Sequence, residues 1–123
     1  MLRQLATLLL LSPVTLLPVQ AHQIESALRY LDGTLELSSN YSNGEPTKGA
    51  VVRLLNADGS AGPELGRTDA SGKLTLDLSG VDDGVVDVQV DGGPGHRDYL
   101  EMHVNDGEVN PDAVVSLPVS LVL

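Results

Sequence analysis

GEPTKGAVVRLLNADGSAGPELGRTDASGKLTLDL, running from Gly44 to Leu78, is the stretch whose reading decides the fold. Gly-Glu-Pro, Ala-Asp-Gly-Ser and Asp-Ala-Ser-Gly are clusters of turn-forming residues, and the runs between them are apolar or alternating. The pattern predicts turn, strand, turn, short strand, tight turn, strand. Val51, Arg53 and Leu55 fall on one face of the first strand and Val52 and Leu54 on the other. Leu74, Leu76 and Leu78 alternate with Lys73, Thr75 and Asp77, the two-residue period of a strand with one face in a core and the other in water.

The same punctuation continues on both sides. Upstream, Asp32-Gly33 separates two alternating runs, a strong signal for a hairpin with a type I′ turn, and places strands near residues 24–31 and 34–40. Asn40 to Lys48 reads as a polar loop. Downstream, Gly80–Gly84 is another turn, after which Val86, Val88 and Val90 share one face and Val85, Asp87 and Gln89 the other. A glycine-dense loop, Asp91-Gly92-Gly93-Pro94-Gly95-His96, leads into a strand from Arg97 to Val104. There Leu100, Met102 and Val104 have the parity of His96 and Asp98, while Tyr99, Glu101 and His103 point the other way, with His103 exposed. The tail, Asn105 to Leu123, contains a polar turn at Asn110-Pro111-Asp112 and ends in an apolar run interrupted by Pro118, read as an edge strand or a loose tail. Short strands about ten residues apart, with no helical period beyond the first segment, predict an all-β chain: a small antiparallel β-sandwich of about seven strands.

The first 21 of the 123 residues have the form of a cleavable signal peptide: Arg3, the apolar run Leu8–Leu11, and Val19 and Ala21 before the cleavage point. The expected organisation is a signal peptide over 1–21 and one sandwich domain over 22–123, in the periplasm or secreted, with no transmembrane segment in the mature chain. Cleavage would remove one of seven basic residues and none of the 17 acidic ones, leaving a net charge of −11. So acidic a surface argues against nucleic acid or anionic lipid as partner, since both need basic surface. The chain has no cysteine, phenylalanine or tryptophan, and Tyr30, Tyr41 and Tyr99 are its only aromatic residues. Its core is therefore aliphatic, and sugar binding by ring stacking is disfavoured. Enzyme signatures are absent too: there is no G-x-S-x-G elbow and no thiol nucleophile. The expectation is a non-catalytic monomer.

The order G-x-P-x-x-G-A-x-V-x-L, then A-D-G, then T-D-x-x-G-x-L resembles the carboxypeptidase regulatory-like domain, a transthyretin-like β-sandwich found in exported proteins. Gly44, Pro46, Gly49, Ala50, Val51, Arg53, Leu55, Asp58, Gly59, Thr68, Asp69, Gly72 and Leu74 carry the match, Leu74 standing where that family has an aromatic residue. The resemblance implies a transthyretin- or immunoglobulin-like sandwich.

The candidate chemistry lies in histidines. Cleavage after Ala21 would make His22 the first residue, and its free α-amine and ring Nδ1 together suit Cu(II) or Ni(II), which favour nitrogen ligands. The loop Gly92–Arg97 presents His96. A chain opening on Ala-His with G-x-G-H-R entering its last main strand resembles small periplasmic proteins associated with nickel and cobalt uptake transporters of the energy-coupling-factor type, although Gln23 stands where they commonly have glycine. The resemblance implies a metal-handling accessory of membrane transporter subunits, binding nickel or cobalt through His22 and His96. A fainter resemblance is to periplasmic copper-binding sandwich proteins, whose Asp-Gly-His loop is here Pro-Gly-His. Asp98 or water would complete the ligand set. Glu101 and His103, two apart on one face, read as solvated surface groups, and no D-x-[DN]-x-[DN]-G calcium loop is present. The alternative expectation is a structural or protein-interaction module of the cell envelope with no metal site.

Overall fold

The computed structural model describes residues 23–117; the expected signal peptide, His22 and residues 118–123 lie outside the described residues. Eight strands follow one another: β1 (Ile24–Leu31), β2 (Thr34–Tyr41), β3 (Val51–Leu55), β4 (Ala61–Arg67), β5 (Lys73–Leu76), β6 (Gly84–Asp91), β7 (Arg97–Val104) and β8 (Val115–Ser116), with one 3-10 turn at Pro111–Ala113. They form two antiparallel sheets, β1-β2-β5 and β4-β3-β6-β7-β8. This is the expected small all-β sandwich, with one strand more than the seven anticipated. The eighth comes from the apolar tail, where Val115 and Ser116 pair with Glu101 and Leu100.

Local chemistry accounts for the turns. Asp32 and Gly33 have φ of 51° and 80°, the backbone that a type I′ hairpin turn demands, and they set β1 against β2 in unbroken register from Ile24↔Tyr41 to Leu31↔Thr34. Asp106 and Gly107, with φ of 55° and 77°, make a second such turn, closed by reciprocal bonds between Asn105 and Glu108. At Asp69 the carboxylate accepts from the amides of Ser71 and Lys73, and Gly72 completes the turn at φ 77°. Gly72 also lies hard against β2: its carbonyl accepts from the Ser39 amide at 2.8 Å, and a Cβ there would run into the Ser39 carbonyl oxygen.

The expected alternation holds across the inner faces. Leu35, Leu37, Leu76, Val52, Val88, Val90, Leu100, Met102 and Val104 are buried between the sheets. Strand β5 stops at Leu76, two residues short of the expected Leu78, because Asp77 turns to accept from the Ser79 amide; Leu78 still reaches the core. Tyr99 faces outward from β7 as its parity predicts, yet it is only 5% exposed. Its hydroxyl accepts from Gln89 Nε2, and its carbonyl accepts from the Leu117 amide, which brings the returning tail alongside it.

The sheet edges are blunted. Pro63 and two register shifts interrupt β4, which a proline can occupy only at an edge. β8 is two residues long and β5 four. On β1, the outward amide of Ser26 is taken by Asp98 Oδ2 at 2.8 Å.

Candidate functional site

The sandwich has two unlike ends. At one, called here the near end, β1 begins, β2 and β6 finish and β7 starts, with the loops 42–50, 68–72 and 92–96 clustered over it. The buried polar side chains Ser39, Thr47, Thr68 and Asp98 gather there. At the far end the interior is Leu35, Leu76, Leu78, Met102, Val104 and Val109.

Hydrogen bonds knit the near end together across both sheets. Thr68 Oγ1 accepts from the Ala50 amide at 2.8 Å and donates to the Thr47 carbonyl at 2.6 Å. The Thr47 amide donates to the Ser39 carbonyl, and the Ser26 hydroxyl donates to that of Ser39. Asp98, 8% exposed, has both carboxylate oxygens engaged: Oδ2 with the Ser26 amide and Oδ1 with the Tyr99 amide at 2.9 Å. Burial pushes its carboxyl above the ordinary aspartate value of 3.8, an effect only partly offset by those amides and assisted by the neighbouring Glu25 carboxylate. Asp98 thus fastens β1 of the three-stranded sheet to β7 of the five-stranded sheet.

His96 sits on top of this network. Its carbonyl accepts from the Gly92 amide at 2.7 Å and its amide donates to the Gly93 carbonyl at 2.9 Å, closing the tight loop. A Cβ on Gly92 would crowd the His96 carbonyl and the Thr47 methyl, so glycine lets the loop fold down onto Thr47. The base of the loop is held by Asp91, whose Oδ1 accepts from the Gly93 amide and from Arg97 Nε. Burial raises the Asp91 carboxyl, but the Gly93 amide with Arg97 and Arg53 outweighs it and holds the group below its ordinary value. The imidazole of His96 packs edge to face on Tyr41, ring centroids 5.6 Å apart and planes at 88°.

Tyr41 connects that imidazole to the start of the described chain. It lies opposite Ile24, and the next residue, Ser42, donates its amide to the Gln23 carbonyl at 2.9 Å. His22 lies outside the described residues. Gln23, the first of the described residues, stands at the end of the molecule where His96 stands. Of the expected site residues, His96 and Asp98 are therefore brought to the near end beside the beginning of β1. Among the described residues, no three His, Asp or Glu side chains converge to hold a metal ion.

His103 and Glu101 lie elsewhere. His103 is exposed near the far end and lines an open cleft of about 310 Å³ with Asn105, Glu108, Val109, Asn110 and Ala113. The sequence reading missed the roles of Tyr41 and Ser26. Both belong to contacts between distant segments; the expected second strand ended near Asn40, one residue short of Tyr41, and the only available signal was the hairpin that sets this end beside the start of β1. In comparison with known proteins, the chain matches no family model, no curated protein and no solved structure.

Proposed function

We propose that the chain is an exported, non-catalytic β-sandwich that handles a divalent transition metal and serves nickel or cobalt uptake beside membrane transporter subunits. In this reading the signal peptide is cut after Ala21, and His22 supplies its α-amine and Nδ1 while His96 supplies a second imidazole. Such a nitrogen-rich set suits Ni(II) and Cu(II), with the stronger intrinsic affinity going to Cu(II). The oxygens of Asp98 already serve Ser26 and Tyr99, so water takes the fourth position and Asp98 contributes buried negative charge beneath the site. The resemblance to the transporter accessories supports the same reading, while that to the carboxypeptidase regulatory-like domain supports the sandwich alone.

One observation carries it. The β1–β2 register sets the start of β1 beside Tyr41, and Tyr41 touches the His96 ring. Calorimetric titration of protein beginning at His22 with Ni(II) and Cu(II) tests it. A single site is expected, weakened when one residue is added before His22, because the amine that chelates together with Nδ1 then becomes a backbone amide. Unchanged affinity in the extended protein would refute the N-terminal chelate. It would leave the alternative, an envelope interaction module, as the better reading.

A further inference from the structure

The geometry points to the outer face of the five-stranded sheet as the surface on which a second copy of this chain docks, the two copies related by a two-fold axis. This does not depend on the metal reading. The side chains turned away from the core stand in rows that the strand register fixes. Closest to the near end, Arg67, Val51, Asp91 and Arg97 line up across β4, β3, β6 and β7. The second row is Glu64, Arg53, Gln89 and Tyr99, and the third is Ala61, Leu55, Asp87 and Glu101 with Val115 on β8.

The rows differ in charge. Arg97 Nε and Arg53 Nη1 lie 3.0 and 3.8 Å from the Asp91 carboxylate, and Arg67 makes no ion pair among the described residues. Set against Asp91 and Glu64, these three arginines leave the first two rows net positive on a chain that is strongly acidic. The third row is the reverse. Asp87 and Glu101 stand directly opposite one another on β6 and β7, with no basic residue in their row. Like charges so placed destabilise a sheet. Asp87 Oδ1 is also buried without a hydrogen-bond partner among the described residues, and a polar atom left in that state is costly. What this row needs is a cationic donor above it.

A second copy supplies one. A two-fold axis that lies in the face and crosses the strands between the second and third rows brings each copy's Arg53 and Arg97 within reach of the other's Asp87 and Glu101. The patch is thereby complementary to itself, which is the condition for a closed pair. Val85 and Val115, 55% and 50% exposed, belong to the same face beside His103 and Glu101 and are covered in such a pair. Central strands of eight residues in a sheet five strands wide give a face on the order of 500 Å². A standard stable complex buries about 800 Å² per partner, so this dimer is weak and concentration-dependent. The acidity of the whole chain opposes approach at long range, and physiological salt screens that repulsion beyond about 8 Å while leaving pairs in contact.

Sedimentation of the chain beginning at His22, from micromolar to millimolar concentration at physiological salt, reads the association, and ¹⁵N amide shifts followed on dilution locate it. A concentration-dependent dimer is expected, with shifts in β3, β6 and β7 and none in β1, β2 and β5. Glu101→Arg replaces the like charge opposite Asp87 with an attractive one and so keeps the fold, but it sets an arginine against the second copy's basic rows. Its dimer should be weaker by about ten-fold or more. Mixing it with Arg97→Glu should restore the association, because each variant then meets the opposite charge; if Arg97→Glu does not fold, the wild type and Glu101→Arg still decide. A wild type that stays monomeric throughout, a dimer whose shifts fall on the other sheet, or a Glu101→Arg dimer as tight as the wild type would each overturn the inference.

Discussion

The near and far ends of the sandwich are built from the same strands yet held by different physics. Around Leu35, Leu76, Met102 and Val104 the interior is aliphatic, and what matters is filled volume. Around Ser39, Thr47, Thr68 and Asp98 the interior is fastened by directional bonds between backbone groups and short polar side chains. Aliphatic packing tolerates exchange of one shape for another of equal volume. A buried hydrogen-bond network does not, because each lost partner leaves a desolvated group behind. The difference teaches where a site needing fixed geometry belongs in this molecule: on the bonded end, where His96 packs on Tyr41, the register partner of Ile24.

Cavity formation should break the far end most severely. Met102→Ala is expected to cost about 2–5 kcal/mol in chemical denaturation, whereas Met102→Leu, which keeps the volume, should cost less than about 1.5 kcal/mol. The near end should reverse that tolerance. Thr68→Val is nearly isosteric, but it leaves the Ala50 amide and the Thr47 carbonyl without their partner, and we expect a loss of about 2 kcal/mol. If Thr68→Val proves as harmless as Met102→Leu, the two ends do not differ in the way described.

Acid titration sharpens the comparison with a smaller effect. Hydrogen bonds hold the turn carboxyls of Asp58, Asp69 and Asp77 below their ordinary value, the largest causes being the Ser60 hydroxyl, the Lys73 amide and the Ser79 hydroxyl in turn. Their contribution to stability is present above 3.8 and is lost as pH falls through their folded values. Asp98 has the opposite sign. Its folded value is raised by burial, so folding takes up a proton between 3.8 and that value and the group adds stability as pH falls through the window. Asp98→Asn removes this opposing contribution, and stability followed by denaturant melts should then fall more steeply with acid in that window than in the wild type. A wild-type slope in the variant would contradict the assignment. The smallest effect is expected at Thr47, fully buried with an Oγ1 that takes no hydrogen bond among the described residues. Thr47→Val should change stability by no more than about 0.5 kcal/mol, or raise it, since no bonded partner is lost.

Much of this fold was legible because it is local. Asp32-Gly33 gave the hairpin, and the alternation of Leu74, Leu76 and Leu78 and of Leu100, Met102 and Val104 gave the inward faces. Parity also placed Asp98 on the core side of β7, where it is found. Its partner could not be read, since Ser26 lies 72 positions away and nothing near either residue encodes the pairing. The Tyr41–His96 contact has the same character. One miss was of another kind: Asp106-Gly107 carries the same turn signal as Asp32-Gly33 but was absorbed into the tail, whose expected edge strand is the two-residue β8. Tyr99 is buried on an outward face only because the tail returns beside it.

The location of metal on the protein tests the central claim most directly. Substoichiometric Cu(II), added to ¹⁵N-labelled protein that begins at His22, broadens amide signals near the ion. The account predicts selective loss of signals at Gln23, at Tyr41–Thr47 and at Gly92–His96, with the far end untouched. Broadening centred on Glu101–Glu108 or on Asp82 and Asp83, with the near-end signals intact, would contradict it.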